Sequence, residues 1–126
     1  MDTQKKILVI DDEEIVRELL TDVFSESGFQ VMTAENGLAG LEHIRQPGSR
    51  YDLVIIDMSM PGMGGIEVCR ELRKLKPDQK IMIATGNYST DDELSEMKKN
   101  GVEHVLRKPF NFNEMIGLLR CVMNCQ

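Results

Sequence analysis

Four apolar residues in a row, LVII at positions 53–56, stop at a single carboxylate, Asp57. The run is rich in branched side chains and too short for a helix. It reads as a strand covered on both faces, as in the middle of a parallel sheet. Pro61, Gly62, Gly64 and Gly65 follow, and together they exclude a strand or helix interior and mark a loop. A lone carboxylate thus sits where a buried strand gives way to a loop. In open α/β sheets that carboxyl edge is where ligands bind. Taken alone, Asp57 serves equally well as a polar end-stop.

The pattern recurs along the chain. ILVI at 7–10 ends in Asp11, Asp12, Glu13 and Glu14, and IMIA at 81–84 ends in Thr85-Gly86. A shorter alternating segment at 29–33 and a last run at 102–106, ending in Arg107, Lys108 and Pro109, complete five predicted strands. Between them the apolar residues recur at helical spacing. Ile15, Val16, Leu19, Leu20, Val23 and Phe24 form a first stripe, which Ser27-Gly28 ends. Asn36-Gly37 opens a second helix with Leu38, Leu41 and Ile44, and a third carries Ile66, Cys69, Leu72 and Leu75. Thr90 and Glu93 read as a capping box for a fourth helix, with Leu94 and Met97 facing inward and Asn100-Gly101 closing it. Residues 111–114 cap a fifth, whose stripe is Met115, Leu118, Leu119, Val122 and Met123.

Five strands alternating with five helices predict an α/β fold. It is a doubly wound (βα)5 unit with a five-stranded parallel sheet and helices on both faces. With 126 residues and short connections, positions 1–126 are expected to form one domain.

Composition narrows the function. Twenty-one acidic residues against 15 basic ones give a net charge of −6. That disfavours direct nucleic-acid binding, which needs a basic face. No apolar run is long enough to span a membrane, and the start of the chain does not read as a signal peptide. Cys69, Cys121 and Cys125 are an odd number without C-x-x-C spacing, which fits a reduced, cytoplasmic setting and no metal role. His43 and His104 read as helix-end or surface residues.

In a parallel sheet the strand ends share one edge. Asp11 and Asp12, Asp57, Thr85 and Lys108 then converge there from four parts of the chain, while the second strand, ending at Glu35, adds nothing recognisable. Each has an ordinary use alone: Asp11 and Asp12 as helix caps, Thr85 as a turn residue, Lys108 as a solvated lysine. Together they suggest more. Clustered carboxylates raise one another's pKa and call for a neutralising partner. Oxygen ligands of this kind suit Mg²⁺, and a lysine and a hydroxyl suit phosphoryl oxygens. Phosphoryl transfer needs that set, with a carboxylate as nucleophile, since no Ser-His, Cys-His or Gly-rich phosphate loop is present.

The segments ILVIDDE, LVIIDMSMPGMGG, IMIATG and LRKPF, in this order and spacing, resemble the receiver domain of two-component response regulators, the family of the chemotaxis protein CheY. The resemblance runs from about residue 6 to residue 123. It implies that Asp57 is the phospho-acceptor, and that Asp11 and Asp12 hold Mg²⁺, with Asp12 ranked ahead of Asp11 as a direct ligand. The Ser59 backbone carbonyl completes the metal site. Thr85 and Lys108 bind phosphoryl oxygens, and the Lys108–Pro109 bond is cis. The implied partners are a sensor histidine kinase or phosphotransfer protein and an output protein or domain, with the domain monomeric or dimerising on phosphorylation. Such a protein is a signalling phosphoacceptor, not an enzyme acting on separate substrates. The other readings weighed are a flavodoxin-like small-molecule binder, against which the acids at 11–14 speak, and a Mg²⁺-dependent aspartyl phosphatase. The chain departs from the family at Val105, where an aromatic switch residue is usual. Output is therefore expected through the loop after Thr85 and the fourth helix. Gly86 replaces a frequent alanine, and Ser59 and Asn87 fall where the family tunes phosphoryl lifetime.

Overall fold

The computed structural model describes residues 4–86 and 90–124. Strands and helices alternate: β1 Lys6–Ile10, α1 Glu14–Glu26, β2 Gln30–Ala34, α2 Gly37–Arg45, β3 Leu53–Asp57, α3 Gly65–Leu75, β4 Ile81–Thr85, α4 Asp91–Lys99, β5 Val102–Arg107 and α5 Phe112–Asn124. The strands form one sheet in the order β2-β1-β3-β4-β5, and every pairing is parallel. This is the doubly wound α/β architecture expected from the apolar runs. The order reverses between β1 and β3, so the switch point lies where Asp11 and Asp57 leave the sheet.

Alternation along each strand divides the core in two. Ile7, Val9, Leu53 and Ile55 face the side covered by α1 and α5, where Leu20, Phe24, Met115 and Leu119 meet them. Leu8, Ile10, Val54 and Ile56 face the side covered by α2, α3 and α4, against Leu41, Ile44, Val68 and Leu72. Each fully buried side chain of this size stabilises the fold by about 1.5–3 kcal/mol, and the three inner strands bury all their apolar residues.

The helix ends form where the sequence marks them. The Asn36 side chain accepts from the Ala39 N–H at 2.8 Å. Thr90 and Glu93 make both bonds of a capping box, and Asn111 caps α5 through the Glu114 N–H at 3.1 Å. Gly28, after α1, has φ +95°, the left-handed conformation that glycine adopts without penalty. The Lys108–Pro109 bond is cis, as the resemblance implies.

The buried stripes are narrower than the apolar spacing predicts. Ile15 is 76% exposed, and Leu19, Leu38, Leu75 and Leu94 are also exposed. Periodicity gives the direction of a buried stripe, but its width depends on how far the sheet extends beneath the helix. His43 lies half-buried in the last turn of α2, and His104 is exposed on β5. Cys69 is buried and Cys121 exposed. The readings for Asn87 and Cys125, and for the side chain of Val122, lie outside the described residues. Among the described residues no helix is long and apolar enough to cross a membrane.

Candidate functional site

β1, β3 and β4 deliver their last residues to one edge in register, with Asp57 opposite Ala84 and Ile10 opposite Ile56. Asp57 is 5% exposed, and Asp11 and Thr85 are likewise buried, whereas Asp12 is exposed. The close start of α3 depends on Gly65. A Cβ there would lie 2.6 Å from the Asp57 carbonyl oxygen and 2.8 Å from the Met58 Cα. The helix can therefore begin directly behind Asp57 only with glycine at this position.

Among the described residues, one cation pairs with the cluster. The Lys108 Nζ lies 3.2 Å from Asp11 Oδ2, 3.3 Å from Asp57 Oδ1 and 3.7 Å from Glu13 Oε1. Its side chain is only 19% exposed, so it is not a solvated surface lysine. The Lys108 N–H donates to the Thr85 carbonyl at 2.9 Å, which ties the end of β5 to the end of β4. Carboxylate oxygens of Asp11, Asp12 and Asp57 all lie within 4.8 Å of one another. The site thus brings together Asp11, Asp12, Asp57, Thr85 and Lys108. Ser59 is exposed in the loop two residues beyond Asp57.

Asp11 and Asp12 are not the helix caps of α1. The cap position is Glu13, which makes no side-chain capping bond. Asp11 Oδ1 instead accepts the Glu13 N–H at 2.9 Å, two residues on, as in an Asx turn. That turn carries Glu13 towards Lys108, a contact that sequence reasoning missed. An aspartate followed at i+2 by an acid was the available signal. Arg17 was missed as well; its Nη1 donates to the Asp11 carbonyl at 2.8 Å.

Burial pushes the Asp57 carboxyl up to about 6, with the Asp11 charge adding to the rise and the Lys108 ammonium opposing it. A hydrogen bond with Asp12 adds a smaller upward push. Mutual repulsion is therefore the second cause, behind desolvation. For Lys108, burial pushes the pKa down, but the Asp11 and Asp57 charges outweigh it and the net shift is upward. Lys108 stays charged at neutral pH.

The fold and edge define a class: a flavodoxin-like α/β domain whose switch point carries carboxylates and a lysine where a nucleotide binder carries a phosphate loop. Residues 7–120 match the response regulator receiver domain model. The chain is 36% identical over 111 residues to sporulation initiation phosphotransferase F of Bacillus subtilis, covering 88% of this chain and 87% of that protein. It is 34% identical over 118 residues to response regulator MprA of Mycobacterium sp. strain KMS, covering 94% of this chain and 50% of the relative. The chain thus spans about half the length of MprA. Among solved structures it resembles response regulator TrrA of Thermotoga maritima in complex with Mg²⁺-BeF, with TM-score 0.82, 38% identity, and 94% and 99% of the two chains covered. It also resembles chemotaxis protein CheY4 of Vibrio cholerae, with TM-score 0.87, 27% identity, and 95% and 99% covered. The chain belongs to the response regulator receiver domain family of two-component systems.

Proposed function

We propose that Asp57 accepts a phosphoryl group from the phosphohistidine of a sensor histidine kinase or phosphotransfer protein. The observation that carries this reading is a buried carboxylate at the end of the central strand, with one lysine 3.3 Å away and two more carboxylates beside it. An Asp57 oxygen attacks phosphorus, the P–N bond breaks, and the histidine nitrogen leaves with the electron pair. Thr85 and Lys108 face the phosphoryl oxygens. Lys108 exchanges its contact with the Asp57 carboxylate for one with the phosphoryl group.

The donor set of Asp11, Asp12 and Asp57 is all hard carboxylate oxygen, without His or Cys, which fits Mg²⁺ better than a transition metal. With the Ser59 carbonyl they would hold the ion, which when bound neutralises charge on the acids and the phosphoryl oxygens. The domain is its own substrate, so it acts as a signalling phosphoacceptor and not as an enzyme in the turnover sense. A cytoplasmic setting, an output partner, and a monomer or a phosphorylation-dependent dimer accompany this reading.

The test is incubation with acetyl phosphate and Mg²⁺, followed by intact mass measurement. Wild type gains one phosphoryl group and Asp57→Asn gains none. Full labelling of Asp57→Asn would place the acceptor elsewhere.

A further inference from the structure

Every polar group of Asp11 is engaged. Its N–H donates to the Ala34 carbonyl at 3.1 Å, Oδ1 accepts from Glu13, Oδ2 accepts from Lys108, and its carbonyl accepts from Arg17. The last bond is the unusual one. Glu14, Glu18 and Asp22 line the same surface cavity of about 440 Å³ as Arg17. Yet no Arg17 ion pair occurs among the described residues, and the guanidinium is spent on a neutral carbonyl at 2.8 Å.

That carbonyl belongs to the peptide joining Asp11 to Asp12. Holding its oxygen restrains the peptide plane, and with it the N–Cα bond from which Asp12 starts. Asp12 is exposed, and its carboxyl meets that of Asp57, so the braced peptide restrains the backbone side of this contact. Arg17 itself is anchored one turn into α1, through its N–H to the Glu13 carbonyl at 3.1 Å. It spans the turn between strand and helix as a brace.

We propose that Arg17 is a positioning residue for the divalent-ion site, aiming Asp12 at Asp57 through the Asp11–Asp12 peptide. This rests on the magnesium reading above. A ligand aimed before the ion arrives loses less conformational freedom on binding, so the brace acts on affinity. A merely structural brace would act on folding alone.

The experiment is Mg²⁺ titration of the whole chain, followed by calorimetry and by backbone amide shifts, for wild type, Arg17→Met and Arg17→Lys. Urea melts in EDTA accompany it. Arg17→Met keeps the apolar stem and loses the donor. Its Mg²⁺ Kd rises about tenfold, and its metal-free Asp12 amide resonance moves. Arg17→Lys keeps charge and one donor at shorter reach, and its Kd rises about threefold. Thr21→Val removes the bond from the Thr21 hydroxyl to the Arg17 carbonyl, 2.8 Å, in the same helix. It lowers the urea midpoint and leaves the Kd unchanged. A wild-type Kd in both Arg17 variants overturns the proposal, as does a wild-type Kd in Arg17→Lys should Arg17→Met not fold. Failure of wild type itself to bind Mg²⁺ overturns the magnesium reading instead.

Discussion

β4 and β5 lie side by side, one ending at Thr85 and the other leading into Lys108, but they are built in opposite ways. Every residue of β4 is buried, whereas β5 is the edge of the sheet and buries only Leu106. Their pairing is also irregular, with a register shift between Ile81 and Met82. Thr85 is therefore held by the core. Lys108 is held by one backbone bond to Thr85 and by the carboxylates it faces. The Asp57 side of the site is held by the packed centre of the sheet, and Lys108 is held by the charges it faces. A change of charge at Asp57 therefore alters what holds Lys108 at the end of the loosely packed β5 edge. Val105, 36% exposed on this strand, has no aromatic ring to carry it.

The sharpest way to break this comparison is to truncate register partners. Ile83 and Val105 face one another across β4 and β5. Ile83→Ala should cost about 3–4 kcal/mol, as buried truncations do, and Val105→Ala less than about 1 kcal/mol. Urea melts measure both. Equal losses would show that the β5 edge is packed as tightly as the centre.

pH gives the next effect. Asp57 is raised from 3.8 to about 6, so the folded protein holds that proton more tightly than the unfolded chain. The stability it contributes is complete below about 3.8 and is lost as pH rises through about 6. The loss in metal-free buffer should reach about 2–3 kcal/mol, and Asp57→Asn should flatten it. A wild-type profile in the variant would assign the titration to another acid.

Asp12→Asn gives the smallest change, because Asp12 is exposed and contributes the weaker push on Asp57. The variant should gain about 0.5 kcal/mol in EDTA, in keeping with an exposed charge contact. In millimolar Mg²⁺ the order should reverse, since the ion stabilises only a protein that binds it. A variant less stable than wild type in EDTA would make Asp12 a structural residue.

What was legible in the sequence follows from the chemistry of strand ends. Apolar runs broken abruptly by Asp11, Asp57, Thr85 and Lys108 fix both the sheet and its working edge, because a parallel sheet leaves no other place for those side chains. The outward turn of Ile15 and Leu19 was not legible, since it depends on which neighbours lie beneath α1. Glu13 and Arg17 escaped because their contacts depend on the path of a tight turn and not on periodicity. The charges around Asp57 were readable too, but the larger cause of its raised pKa, burial, belongs to the folded state alone.

The central claim is that Asp57 carries the phosphoryl group, and trapping that bond tests it most directly. Protein treated with acetyl phosphate and Mg²⁺ is reduced with borohydride, which converts an aspartyl phosphate to homoserine, and is then digested and sequenced by mass spectrometry. The account predicts homoserine at position 57 and unmodified aspartate at positions 11 and 12. Homoserine at position 11 or 12, with aspartate intact at 57, would contradict it.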